Sequence, residues 1–139
     1  MKHQFIQEGF YCSGLLNFTP REAYREAMEN NAILVDVREE YLSDYKKFAV
    51  PQTLFLPFSL LAEHIAELPT DVPLIIADSV GLRSKDALIL LKDMGFDNAA
   101  NLAGGLVEWE RDGLPLHVNN DEMLTGSCTC QLKKWNKKK

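Results

Sequence analysis

The stretch PLIIADSVGLRSKDALILLKDM, residues 73–94, changes character twice, and those changes carry the fold. Pro73-Leu74-Ile75-Ile76-Ala77 is a short apolar run without polar alternation, the pattern of a strand covered on both faces of a parallel sheet. From about Arg83 to Met94 the apolar residues Ala87, Leu88, Leu90, Leu91 and Met94 recur at helical spacing. Gly95 then follows as the residue that leaves the helix in left-handed geometry. Between strand and helix lies only the short connection Asp78-Ser79-Val80-Gly81-Leu82-Arg83-Ser84. Such a strand-to-helix joint is the repeating element of an α/β domain, and in open parallel sheets ligands collect beyond these strand ends.

The same joint recurs on both sides. Thr19-Pro20-Arg21-Glu22 has a hydroxyl at the cap, a proline at the first helical position and a carboxylate three residues after the cap, which predicts a helix over about 20–30. Ala32-Ile33-Leu34-Val35-Asp36-Val37 predicts a second buried strand. Residues 40–47 read as a short helix and Thr53–Leu56 as a strand ending before Pro57. Ser59 is placed to cap a helix carrying Leu61, Ile65 and Leu68 on one face, with Pro69 halting it. A strand at Ala99–Leu102 follows, and Gly104-Gly105 opens a helix over about 105–112 that Gly113 and Pro115 end. The alternation predicts a mainly parallel sheet of about five strands with helices on both faces.

A length of 139 residues suits one domain, divided here into an N-terminal extension (1–17), the α/β domain (18–117) and a C-terminal tail (118–139). No apolar run approaches the roughly 18 residues of a membrane span. MKHQFIQEGF has no continuous apolar stretch after Lys2, so a cytoplasmic location is expected. The net charge of −5 hides an asymmetry: the last seven residues, KKWNKKK, hold five lysines, leaving ten basic against twenty acidic residues in positions 1–132. An acidic body of this kind repels phosphate backbones, so nucleic acid is not the expected partner. The lysines read as a solvated terminus, with an acidic partner or lipid surface as the alternative. The sequence names neither the partner, protein or small molecule, nor the oligomeric state.

The loop at 78–84 is an anion cradle by construction, since a glycine-containing turn into a helix aims backbone N–H groups and the positive end of the helix dipole at one point. Arg83 is placed to hold an anion or tie the loop to a carboxylate, and Ser84 to add a donor. At these residues the chain resembles the rhodanese-like domain family, whose active loop has the form C-x-x-G-x-R-S. Asp78-Ser79-Val80-Gly81-Leu82-Arg83-Ser84 matches it at every motif position except the first. Val35-Asp36-Val37-Arg38-Glu39 is similar to the family's D-V-R-E motif, and Asn101-Leu102-Ala103-Gly104-Gly105 with Trp109 to its L-x-G-G-x-x-x-W stretch. The resemblance spans about residues 18–115 and implies a three-layer rhodanese-like fold. It departs at Asp44–Gln52, where most members carry a G-H-I-P-G-A-like segment. The resemblance also implies that Asp36 and Arg38 brace loop and strand by ion pairing. Trp109 reads as packing the last helix onto the sheet.

In active members the loop cysteine takes sulfur from a sulfane donor, holds it as a persulfide and passes it to a thiophile. That step needs a soft thiolate, and Asp78 is a hard carboxylate unable to form a persulfide. Ser79 is the nearest hydroxyl, and no histidine motif accompanies it. The expectation is therefore a loop whose own carboxylate fills the cradle, in a binding or regulatory domain needing no cofactor or metal. Two alternatives come from Cys128 and Cys130: a tail that folds over the loop and carries persulfide sulfur, or a soft-metal site completed by other ligands. Without either task they are exposed tail thiols. Three unevenly spaced cysteines do not form a disulfide framework. Cys12 is expected to be a small packed residue, and His3, His64 and His117 surface or capping groups.

Overall fold

The computed structural model describes residues 4–119. Its strands are β1 (Phe10–Cys12), β2 (Leu15–Phe18), β3 (Ile33–Asp36), β4 (Lys46–Phe48), β5 (Thr53–Phe55), β6 (Leu74–Ala77), β7 (Ala99–Leu102) and β8 (Leu116–Val118). The helices are α1 (Pro20–Glu29), α2 (Glu40–Tyr45), α3 (Phe58–His64), α4 (Leu82–Asp93) and α5 (Gly105–Arg111), with a 3₁₀ turn over Ile65–Glu67. Six strands pair in the order β1-β2-β7-β6-β3-β5, all parallel except β1 with β2, and β4 pairs antiparallel with β8 in a separate ribbon.

Strand alternation distributes the apolar residues to two cores, which is what makes three layers. Leu34, Ile75 and Leu102 face Ala23 of α1 and Leu106 and Trp109 of α5. Val35, Ile76 and Leu74 face Leu61 of α3 and Ala87, Leu88 and Leu91 of α4. The rhodanese-like α/β architecture read from the sequence is present, with six strands in the main sheet instead of about five.

The added strands come from the N-terminal segment, where a Ser13-Gly14 turn folds β1 onto β2 and β2 joins β7. Cys12 consequently sits exposed on an edge strand, not packed as expected. Glu26, buried in α1, accepts the N–H groups of Ile6 (2.7 Å) and Gln7 (2.5 Å) and fixes the entry segment. The capping box at Thr19 and Glu22 forms as read. Ser59 does not cap α3: Pro57 holds the cap position, and the Ser59 hydroxyl donates to Glu39 at 3.3 Å. The helix also ends at His64 rather than at Pro69, yet Leu61, Ile65 and Leu68 are all buried. The helix expected over 40–47 stops at Tyr45, because Lys46–Phe48 turns out to pair with β8 and carry Phe48 into the core.

From β3 the chain moves outward to β5, and from β6 it moves to β7 on the opposite side. The connections after β3 and β6 therefore part at adjacent strand ends. This is a topological switch point, the crevice where open α/β sheets bind ligands.

Candidate functional site

Everything at the switch point is built on the turn from β6 into α4. Gly81 occupies the α4 N-cap with φ +95°, a left-handed conformation that glycine adopts without steric cost, and the cap has no side-chain hydrogen bond of its own there. The acceptor comes instead from three residues upstream. The buried Asp78 carboxylate takes the Gly81 N–H on Oδ1 and the Arg83 N–H on Oδ2, the latter at 2.7 Å. A carboxylate on the first N–H groups of a helix combines charge-assisted hydrogen bonds with a favourable dipole end.

The loop backbone is held from below by α5. Leu106 N–H donates to the Asp78 carbonyl at 2.9 Å and Val107 N–H to the Ser79 carbonyl at 3.0 Å. This contact requires Gly105, whose φ is +59° and whose hypothetical Cβ would lie 2.5 Å from the Asp78 carbonyl oxygen. The Gly-Gly pair read from the sequence thus acts by close approach to the loop. Trp109, further along α5, is fully buried and donates its indole N–H to the Pro115 carbonyl at 2.9 Å.

A polar chain leads from the loop across the sheet. The Ser84 hydroxyl is 2.5 Å from Asn101 Oδ1 and 3.3 Å from Asp78 Oδ1. A hydroxyl has one proton, and the shorter contact takes it. Asn101 in turn donates to Asn17 Oδ1 at 2.8 Å, and Asn17 to the Leu15 carbonyl at 3.0 Å. All three side chains are buried, so the chain satisfies groups that would otherwise be costly there.

The neighbouring connection, after β3, forms the opposite wall. Arg38 Nε and Nη2 grip Asp36 at 2.9 and 2.7 Å, and Nη2 also donates to the Lys46 carbonyl at 2.7 Å. The Ser43 hydroxyl donates to the same carboxylate at 3.1 Å, and the Arg38 guanidinium lies 5.4 Å from the Phe48 ring centroid. This buried fork ties the end of β3 to α2 and β4.

Between the walls is a cavity of about 410 Å³, with Asp78 at its floor, Arg38 and Glu39 on one side, and Val80, Leu82 and Arg83 on the other. Arg83 is exposed, its guanidinium 5.3 Å from the Phe58 ring centroid. Val80 and Leu82 are 51% and 68% exposed, so the mouth carries apolar side chains beside the Arg83 cation and the exposed Glu39 carboxylate. Among the described residues no histidine lines it. Among the described residues no group of three or more His, Cys, Asp or Glu side chains is arranged to hold a metal ion, and no helix is long and apolar enough to cross a membrane.

The structure thus brings together Asp78, Ser79, Val80, Gly81, Leu82, Arg83 and Ser84 with Arg38, and sets Gly104 and Gly105 beneath them. Cys128 and Cys130 lie outside the described residues. Sequence reading missed Phe58, which carries Arg83, and the Asn101–Asn17 pair. An asparagine inside the apolar strand Ala99-Ala100-Asn101-Leu102 was the available signal for the latter.

Residues 19–112 match the profile of the rhodanese-like domain. A sulfurtransferase of Allochromatium vinosum is 33% identical over 92 residues, covering 66% of this chain and 84% of that protein. The thiosulfate sulfurtransferase GlpE of Haemophilus influenzae is 31% identical over 102 residues, 70% of this chain and 90% of that one. A crystal structure of a rhodanese-related protein from Thermoplasma volcanium superposes with a TM-score of 0.66 at 24% identity, covering 74% of this chain and 98% of that chain, and supports the fold.

Proposed function

The chain belongs to the rhodanese-like family, and from that premise we propose that it is a binding or regulatory module without sulfurtransferase activity at the usual loop. Asp78 stands, in this reading, where the family's cysteine would be. The observation that carries it is the pairing of that carboxylate with the Gly81 and Arg83 N–H groups. A persulfide or substrate oxyanion would need those same donors, and a fixed negative charge already holds them. Oxygen cannot take a sulfane sulfur atom, and among the described residues no histidine lines the cavity to serve as a base. The exposed apolar pair Val80 and Leu82 at the mouth suits a protein or small-molecule partner in a reducing cytoplasm.

A thiosulfate:cyanide assay tests this. The natural chain should give background turnover, and robust turnover abolished by Asp78→Asn overturns the proposal. The Asp78→Cys variant should acquire one sulfur atom, about 32 Da by mass spectrometry, at position 78 after incubation with thiosulfate. An adduct on Cys128 or Cys130 of the natural chain would instead support a persulfide-carrying tail.

A further inference from the structure

We propose that the free edge of β1 pairs with the same edge of a second copy of this chain, antiparallel, about a two-fold axis at Tyr11. The β1–β2 hairpin determines which groups are available. Its two-residue turn has Ser13 at φ +53° and Gly14 at φ +80°, the positive pair of a type I′ turn, and it sets Cys12 opposite Leu15. A turn of this kind closes on a hydrogen-bonded pair, and such pairs alternate along an antiparallel ladder. Cys12 and Phe10 therefore spend their N–H and C=O groups on Leu15 and Asn17. Tyr11, opposite Leu16, turns both of its groups away from β2 to the open edge.

A donor and an acceptor on one residue are self-complementary across a two-fold axis. Each Tyr11 N–H would donate to the Tyr11 carbonyl of the other copy, and each Phe10 would face the other copy's Cys12. The surroundings favour a second copy over a charged partner. Residues 9–18 contain no charged side chain in a chain of net charge −5, so two copies approach there without like-charge repulsion at the contact. Tyr11 is 73% exposed and Phe10 44%. The opposite edge of the sheet differs: Lys47 lies 5.9 Å from the ring centroid of Phe55 on β5, a lysine guard of the kind that blunts edge strands. Among the described residues no such guard stands on β1.

The exposed parts of Phe10 and Tyr11 amount to about 230 Å² per copy if a full aromatic side chain offers roughly 200 Å². A standard interface buries about 800 Å² a side, so the association is weak.

Sedimentation velocity of the full chain from about 10 μM to about 1 mM should show a reversible shift from monomer to dimer. Tyr11→Lys places like charges face to face on the axis and should weaken self-association by at least about 10-fold while leaving the circular dichroism spectrum unchanged. Phe10→Cys sets a thiol opposite Cys12 of the other copy at the roughly 4.5 Å Cα spacing of a non-hydrogen-bonded pair. Oxidation with diamide should then yield a covalent dimer whose linked peptides map to positions 10 and 12. Three results overturn the proposal: a monomer at all concentrations, a dimer indifferent to Tyr11→Lys, or a link from position 10 to Cys128 or Cys130 of the same chain, which would mean that the tail occupies this edge.

Discussion

Removing the Asp78 carboxylate separates a structural role from a chemical one, because the two predict opposite signs of stability change. In Asp78→Ala the buried Gly81 N–H and the partly buried Arg83 N–H lose their acceptor at the start of α4. Hydrogen bonds to a charged group contribute about 1.5–3 kcal/mol, and loss of a helix N-cap costs about 1 kcal/mol. The two figures overlap, since the bonds are the cap, so the expected destabilisation is about 2–3 kcal/mol. With an m-value of about 2 kcal/mol/M for urea, the unfolding midpoint should fall by about 1–1.5 M at unchanged slope. Asp78→Asn keeps one oxygen but turns an NH₂ toward the other donor, and should recover at most part of the loss. The exposed Asp71 is the control, and its alanine variant should stay within about 0.5 kcal/mol of the parent. A carboxylate maintained for chemistry is commonly held at the expense of stability. An Asp78→Ala protein as stable as the parent, or more so, would refute the capping argument and return Asp78 to the list of reactive groups.

Other perturbations follow from the same geometry. Arg38→Ala strands the Asp36 carboxylate, buried with only the Ser43 hydroxyl and the Arg38 backbone N–H left to it, and should cost about 3–5 kcal/mol in urea unfolding; a cost below about 1 kcal/mol would show that water reaches the fork. Gly105→Ala puts a methyl group against the Asp78 and Ser79 backbone at a left-handed φ, so amide NMR shifts over 78–84 should move even where the fold survives, and unchanged shifts there would contradict the close approach. At the surface, the hydrogen bond to Glu67 and its charge raise the His64 pKa above the ordinary 6.5. The stabilisation linked to that raised value is complete below the unfolded-state pKa and is lost as pH rises through the folded-state pKa. An NMR titration should give a midpoint above 6.5 that Glu67→Gln lowers, and a midpoint indifferent to that change would refute the pairing.

The buried parallel strands were legible because two-sided burial leaves continuous apolar runs, as in Ala32–Val37 and Pro73–Ala77. Helix α1 was legible because a capping box is a local motif, complete within four residues. The short pieces were not. Strands β4 and β8, three residues each, exist by pairing with one another from 68 or more positions apart, and neither half alternates clearly enough to announce itself. The β1–β2 hairpin did carry a local signal, Ser13-Gly14 between apolar neighbours, but Leu15-Leu16-Asn17-Phe18 gave no clean period of two. Cys12 was misplaced for that reason: a residue's burial cannot be judged before its strand is assigned to the edge of a sheet. Ser59 shows the limit of cap statistics, since Pro57, with its fixed φ, started α3 two residues earlier.

The site was legible as a sequence of atoms but not as a network. Reading Asp78-Ser79-Val80-Gly81 sufficed to place a carboxylate at a helix N-terminus, yet the direction of Ser84 depended on Asn101, on a strand laid down only after α4 is complete. That dependence bears on function. With the Ser84 proton committed to Asn101, the Asp78 carboxylate relies on two backbone donors whose positions are set by Gly81 and, from beneath, by the Gly105 approach. A thiolate at the same place would have to yield those donors to the persulfide or oxyanion formed in each cycle. Under the proposed function, the loop keeps its donors on its own carboxylate as a cap and presents Val80 and Leu82 to a partner instead of turning over sulfur.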